Sequence, residues 1–533
     1  MENEYKRPNA RMDAWLSVGG YNGMSNQPRN LFDLMAAAGI VPLGGGSIPR
    51  VVLSSLTDDS RKVRPGACFV AVTGTRQDGA QFIDQARSNG ASAIIGGSDL
   101  LDPTGLPTVQ IADPRRALSH LAAAFHGLKG ESSRPLKLVG VTGTNGKTTV
   151  CWLLRSILQA AGHKSAMLGT VEYDLISQKR AAPLTTPGAV ELCECLATAR
   201  DAGAVYAVLE VSSHALDQGR CDGLAFAAGV FTNLTGDHLD YHATMDAYAS
   251  AKKRLFEMLP DDAVAVINAD DPRSGEFASA SKAPVVLYGI ESGRVEVRGE
   301  LQLLDRSGTT FVLHTKDSRE PIRLPLIGTH NVSNALAAAA TALSLGVSMD
   351  AVRQGIESVQ GVPGRLQRVE PDGWPFSVLV DYAHTDDALR NVLTALRPLT
   401  PGRLICVFGC GGDRDHGKRP RMAAVVAELA DIAFVTSDNP RTENPTDIIE
   451  EILGGFPGGS ACRVETEVDR KEAIYAAISQ ACPGDTVLIA GKGHENYQLI
   501  GDRVLHFDDV EVARDAMQHR DTSKQPALQE EVA

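Results

Sequence analysis

Apolar residues along this chain follow two alternating rhythms. Short, largely apolar runs at 67–72, 91–95, 136–141, 206–211, 227–232, 263–268, 376–380, 404–408, 432–436 and 486–489 have the length of strands buried on both faces. Stretches of helical character lie between many of them, at 81–88, 114–128 and 189–202 for example. After residue 147, Val150, Leu153, Leu154, Ile157 and Leu158 mark one buried face of a helix. Residues 285–326 depart from this rhythm. Alternating strands at 295–304, 309–314 and 322–326 predict an antiparallel subdomain or an edge meander, followed by an alanine-rich helix reaching Leu345. Strand–helix alternation predicts an α/β fold in three domains, at 31–133, 134–363 and 364–520. The linker at 131–135 and the hinge Gly361-Val-Pro-Gly-Arg365 separate them. Residues 1–30 read as a flexible extension and 521–533 as a disordered tail.

Length agrees with this division, since 533 residues exceed what one core supports. Hydrophobic residues make up 43% and charged residues 22%, as in an ordinary globular protein. The net charge of −13 argues against general binding to nucleic acid or to an anionic membrane. No apolar run is long enough to span a bilayer, and the N-terminal residues lack the apolar stretch of a signal peptide. Nine cysteines, with no C-x-x-C pair, read as reduced thiols in a cytoplasmic protein.

Chemistry concentrates where the strands end. The run Thr142-Gly143-Thr144-Asn145-Gly146-Lys147-Thr148-Thr149 passes from a strand through a glycine turn into a helix N-terminus. Backbone N–H groups and the helix end suit a phosphate there, with Lys147 reaching the outer phosphates and Thr148 a Mg²⁺ ion. The strict pattern asks for glycine where Val141 stands, with Gly140 and Gly143 flanking it. Glu210 closes another strand, where P-loop enzymes place an acidic metal ligand. His238, in Gly236-Asp237-His238, can meet a second metal or a phosphoryl group. Spacing alone gives Lys252 no role. Asp59-Ser60-Arg61 and the segment 74–79 serve as caps and turns as readily as ligand loops. In the last third, Arg414, Arg441 and Glu495 follow apolar strands and pair guanidinium groups with a carboxylate. That set suits a zwitterionic amino acid.

Taken in order, Thr142–Thr148, Glu210-Val-Ser-Ser-His214, the run 233–242 and Gly328-Thr-His-Asn331 resemble the Mur ligases, the ATP-dependent amino-acid-adding enzymes of peptidoglycan synthesis. Asp381-Tyr-Ala-His-Thr385 and Asp438-Asn439-Pro440-Arg441 narrow the resemblance to members that add meso-diaminopimelate to UDP-N-acetylmuramoyl-L-Ala-D-Glu. It covers about residues 50–510. The likeness implies a uridine-nucleotide-binding first domain, a central P-loop domain and a Rossmann-like C-terminal domain. It assigns Ser60, Thr75, Arg76 and Gln77 to the uridine nucleotide, and Thr185, Thr186, Ser212, Gln218 and Arg220 to the muramoyl dipeptide. Gly143 to Thr149, Asn331, Asn334, Arg365 and Asp381 would bind ATP. Lys147, Glu210, His238 and Lys252 would be catalytic, with Thr148, Glu210, His238 and a CO₂-derived carbamate on Lys252 holding two Mg²⁺ ions. Arg414, Asp438, Asn439, Pro440, Arg441, Gly491 and Glu495 would bind diaminopimelate. The family usually has proline where Asp386 stands, so a slightly looser loop is expected there.

The implied reaction phosphorylates the D-glutamyl carboxylate and then replaces phosphate by the amine. Small-molecule substrates, no nucleic acid, no membrane and a monomer are the implied partners. A lysine-adding relative, a folylpolyglutamate ligase and a P-loop regulatory ATPase are the alternatives. Arg441 argues against the first, the first domain against the second, and the C-terminal Arg/Glu set against the third.

Overall fold

The computed structural model describes residues 29–74, 77–98, 100, 105–129, 136–371 and 373–524. The first unit is a four-stranded parallel sheet ordered Ser55–Thr57, Ala67–Val70, Ala91–Gly96, Thr108–Gln110. Asp59 and Asp78 cap short 3₁₀ turns by accepting the Arg61 and Ala80 N–H groups, so the two turn-like segments do act as caps.

An eleven-stranded sheet dominates the centre. Its middle is parallel, in the order Ser165–Leu168, Tyr206–Glu210, Lys137–Thr142, Phe226–Phe231, Val264–Asn268, Val285–Gly289. Strand Lys137–Thr142 shows why its inner residues, 138–141, are all apolar. Val139 and Val141 pack with Val150, Leu153, Leu154 and Ile157 on one face, while Leu138 joins Leu209 and Phe226 on the other. The unusual segment proves to be this sheet's edge. Val285–Gly289 adds in parallel, and Val297–Asp305, Gly308–His314 and Arg319–Leu324 continue as an antiparallel meander. Helix Thr329–Ser344 then lies against the sheet with Ala335 to Ala340 wholly buried, because only small side chains allow so close an approach.

The third unit has six strands ordered Gln367–Arg368, Ser377–Asp381, Thr486–Ala490, Leu404–Phe408, Ile432–Val435, Arg463–Thr466, all parallel except the first pair. Helices Asp386–Leu396, Lys418–Leu429 and Pro445–Leu453 cover one face, and Arg470–Gln480 and Asp509–Lys524 the other. The last helix corrects the expected tail, since it runs beyond residue 520 to Lys524. Ala513, Ala516 and Met517 pack on the sheet and carry it there. Asp386 also departs from expectation. It occupies the first turn of its helix, where an acidic residue suits the helix dipole, and pairs with Arg421 at 3.3 Å. The loop is thereby anchored without proline.

Candidate active site

The glycine turn adopts backbone conformations that only glycine accepts easily. Gly143 and Gly146 have φ of 149° and 86°. A Cβ would lie 1.9 Å from Thr232 Oγ1 at the first and 2.3 Å from Asn334 Oδ1 at the second. Helix Lys147–Ala160 starts directly from this turn with no side-chain cap, so its first N–H groups stay available for an anion. Lys147 Nζ donates to the Gly143 and Thr144 carbonyls at 2.9 and 2.7 Å. Burial, with Arg365 adding to it, lowers its pKa below the ordinary lysine value.

Glu210 is 2% exposed at the end of its strand. Its carboxylate accepts from Thr148 Oγ1 at 3.0 Å, Thr170 Oγ1 at 2.9 Å and the Thr170 N–H at 2.8 Å. These donors are neutral, so a buried carboxylate stands beside the phosphate turn without an ion-pair partner among the described residues. Such a group fits a hard cation. Lys252 is 1% exposed and donates to the Gly143 carbonyl at 2.7 Å, its Nζ 4.4 Å from the centre of the Tyr248 ring. Burial, reinforced by the charge of Lys147, holds its pKa well below the usual lysine value and favours the neutral amine. His238 has a left-handed backbone (φ 56°), which turns its ring into the cavity. Desolvation lowers the pKa of that ring below the ordinary histidine value, against the pull of Asp237 at 3.4 Å.

The third unit closes this cavity. Arg365 donates to Thr148 Oγ1 at 3.0 Å, and its guanidinium stacks 4.8 Å from the Tyr382 ring centre. Asp387 accepts from Asn145 Nδ2 at 2.8 Å and Thr235 Oγ1 at 3.1 Å. Asn334 donates to Asn331 Oδ1 at 3.1 Å, and Asn331 to the Ile327 carbonyl at 2.9 Å. Asp381 accepts from the Leu366 and Ala383 N–H groups, fixing the hinge. The enclosed space is about 330 Å³, lined by Thr144 to Thr148, Glu210, His238, Lys252, Asn331, Asn334, Arg365 and Asp381 among others.

A second cavity, about 570 Å³, opens at the strand ends of the third unit. Arg414, Asp438, Asn439, Arg441, Gly491 and Glu495 line it. Arg441 Nη1 donates to the Gly412 carbonyl at 2.7 Å, which steadies the guanidinium. Glu495 Oε2 accepts from Asn439 Nδ2 at 3.0 Å and lies 3.4 Å from Lys492 Nζ. Burial raises the pKa of Glu495, with Asp438 adding to it. Burial also opposes ionisation of Asp438, yet Lys492 and Arg470 hold it below the usual carboxylate range. The two cavities share Thr170, Thr185, Asp237, His238, Tyr382 and His384 as a common wall.

Some expected residues stand back from these spaces. Gly143 in the glycine turn, Thr149 in the helix that follows it and Pro440 line neither cavity. Ser212 lines the first and Thr185 both. Behind them Thr186 Oγ1 accepts from the Ser212 N–H at 3.0 Å, Arg220 donates to the Thr186 carbonyl at 2.7 Å, and Gln218 accepts from Arg220. Ser60 donates to Gln85 at 2.6 Å and, like Gln77, lies away from both cavities in the first unit. Thr75 and Arg76 fall outside the described residues. Several participants escaped the sequence reading. Thr170 and Asp387 carry no motif signal. Lys492 lies between Gly491 and Glu495, and His384 within Asp381-Tyr-Ala-His-Thr385, and neither had an assigned role. Buried Arg419 bonds Glu443 and Glu451 at 2.9 Å each, tying together the loops that bear Arg414 and Arg441.

Three family models match in sequence order: Mur ligase family, catalytic domain, over residues 53–126; Mur ligase middle domain over 141–342; and Mur ligase, glutamate ligase domain over 364–493. The chain belongs to the Mur ligase family. Two Mur ligases similar to it are UDP-N-acetylmuramoyl-L-alanyl-D-glutamate–2,6-diaminopimelate ligases. That of Gloeobacter violaceus is 43% identical over 92% of this chain and 98% of its own length. That of Geobacter metallireducens is 45% identical over 88% and 94%. A solved structure of a ligase of the same name covers 93% of this chain and all of its own, at 33% identity and a TM-score of 0.66. A Mur ligase from Thermotoga maritima in complex with ADP, 20% identical, shares the fold at a TM-score of 0.61 over 88% of this chain and 98% of its own.

Proposed function

We propose that this protein is the ATP-dependent ligase that joins meso-diaminopimelate to the D-glutamyl γ-carboxylate of UDP-N-acetylmuramoyl-L-Ala-D-Glu, a step of peptidoglycan precursor synthesis. The observation that carries this reading is the common wall between a phosphate-binding cavity and a cavity lined by paired arginines and carboxylates. ATP belongs in the first, against Gly143 to Thr149, Asn331, Asn334, Arg365 and Asp381. Diaminopimelate belongs in the second. Arg441 and Arg414 suit its distal carboxylate, and Glu495, Asp438 and Asn439 its ammonium. Thr185, Thr186, Ser212, Gln218 and Arg220 would hold the muramoyl dipeptide, with Ser60 and Gln77 toward the uridine end.

The glutamyl carboxylate attacks the γ-phosphorus, ADP leaves, and an acyl phosphate forms. Lys147 exchanges its two backbone carbonyls for phosphate oxygens and balances the developing charge. Thr148, Glu210, His238 and a carbamate on Lys252 would hold two Mg²⁺ ions, which when bound neutralise the phosphate oxygens as Lewis acids. No group of three or more His, Cys, Asp or Glu poised for a metal occurs among the described residues. Mg²⁺ takes few protein ligands and completes its shell with phosphate and water. The neutral amine favoured at Lys252 is the form that reacts with CO₂. Contacts from Asp387 and Arg365 shut the third unit over the site and keep water from the acyl phosphate. No helix among the described residues is long and apolar enough to cross a membrane. Soluble substrates and a monomer working in the cytoplasm complete the reading.

The deciding test is phosphate release from ATP with Mg²⁺ and UDP-N-acetylmuramoyl-L-Ala-D-Glu, comparing meso-diaminopimelate with L-lysine. Release only with diaminopimelate is expected. Equal release with lysine would refute the role of Arg441, and release with neither would refute the ligase.

A further inference from the structure

Ligation needs a step that none of the residues assigned above performs. An amino acid arrives as an ammonium, and only its neutral amine has the lone pair that attacks an acyl phosphate. A proton acceptor must therefore stand between the amino-acid cavity and the nucleotide cavity. Six residues form that common wall. Thr170 and Thr185 are hydroxyls, and Tyr382 is a phenol whose pKa burial raises further. Asp237 holds its pKa below the usual carboxylate range, against burial, through His238 and His384. That makes it a poor base. His238 has its Nε2 3.4 Å from Asp237. His384 remains.

The geometry of His384 suits the task. Its Nδ1 lies 2.8 Å from the Tyr382 carbonyl oxygen. A carbonyl only accepts, so Nδ1 carries the hydrogen and Nε2 presents a bare lone pair. No residue among those described bonds Nε2. The Tyr382 ring packs against the imidazole edge-on at 4.7 Å and holds its plane. Burial lowers the His384 pKa first, and Lys418 and Arg365 add to it, against Asp237. His494 and Asp438 are the other charged or titratable neighbours. The ring is accordingly neutral near pH 7 and ready to accept.

We infer that His384 is a catalytic residue of the second half-reaction, the base that takes the proton from the incoming ammonium through Nε2. This rests on the ligase reading above. One ammonium proton passes to Nε2, the freed nitrogen forms the C–N bond, and the C–O bond to phosphate breaks. The nitrogen's surplus proton leaves with the phosphate as hydrogen phosphate, and the imidazolium returns its own to water.

His384→Asn tests this, because an asparagine amide can keep the bond to the Tyr382 carbonyl while Nε2 is lost. Two nucleophiles are compared: diaminopimelate, which needs deprotonation, and hydroxylamine, which is already neutral at pH 7 and traps the acyl phosphate as a hydroxamate. Diaminopimelate turnover is expected to fall about a hundredfold or more. Hydroxamate formation should change far less, and diaminopimelate turnover should recover as pH rises. Equal losses with both nucleophiles would overturn the inference, as would an unchanged diaminopimelate rate. A selective loss in His494→Asn in place of His384→Asn would move the role to His494. Absence of both products with the unaltered enzyme would instead overturn the ligase reading itself.

Discussion

At the scale of single residues, the site depends on a few buried charges that water does not balance. Lys147 and Lys252 both bond the Gly143 carbonyl, and the charge of Lys147 adds to burial in weakening the hold of Lys252 on its proton. Lys147→Ala removes the only one that reaches the phosphates in this reading, and turnover should drop on the order of a thousandfold, as for other lost charge-stabilising donors. For Lys252 the direction of the pKa shift makes a separate prediction. Its amine loses its proton well below the ordinary lysine range, so a carbamate should form near neutral pH and should be visible as a ¹³C signal under labelled CO₂. The signal should fade as acid protonates the amine. Arg441→Met should raise the KM for diaminopimelate roughly 10- to 100-fold, the worth of a hydrogen bond to a charged group, and leave the KM for ATP unchanged. Steady-state kinetics with each substrate varied in turn would show a matching rise for ATP if Arg441 acted only on the fold. Lys147 and Arg441 were legible because charged groups after apolar strands have few structural reasons to be there, whereas Lys252, inside helix Met245–Glu257, was assigned only through the family resemblance. Thr170 was not legible. A lone threonine beyond a short strand has no pattern, and only the fold carries it to Glu210.

Among the elements, those with strong periodicity were the readable ones. The helix opening at Lys147 and its strand follow directly from the spacing of Val150, Leu153, Leu154, Ile157 and Leu158. The strand Arg463–Thr466 and the hairpin Tyr497–Ile500 with Arg503–His506 were not anticipated, because they are short and partly exposed, with little apolar pattern. The final helix, Asp509–Lys524, was not anticipated either, and residues 521–524 of it fell within the expected tail. Its polar sequence hides what docks it, a salt bridge between Arg470 and Asp509, both 0% exposed. Arg470 also donates to the Ala490 carbonyl at 2.9 Å, next to Gly491 of the second cavity. Asp509→Ala would leave a buried guanidinium without its partner and should cost about 3–5 kcal/mol. Urea denaturation followed by circular dichroism measures this. A loss below about 1 kcal/mol would show that water reaches the pair.

For the whole molecule, the decisive contacts join units that are far apart in sequence. Asp387 reaches Asn145 and Thr235, and Arg365 reaches Thr148, so the third unit rests on the phosphate turn itself. Asp387→Ala should weaken that closure by about 1.5–3 kcal/mol, the range for hydrogen bonds to a charged group. Its expected signs are a larger radius of gyration by X-ray scattering and a KM for ATP raised about tenfold or more. An unchanged radius would mean that other contacts hold the units together.

The chain's residues by themselves determined the class of each unit, the phosphate turn, the strand ends that bear chemistry and the resemblance to one family. These are local properties, written in periodicity and in glycine, lysine and arginine at fixed spacing. Only the tertiary structure decided that 285–326 completes the central sheet, that Glu210 is buried among neutral donors, and that the two cavities share a wall including His384. Burial and proximity between residues a hundred or more positions apart belong to the packed chain, and the charge state of a lysine or histidine follows from them.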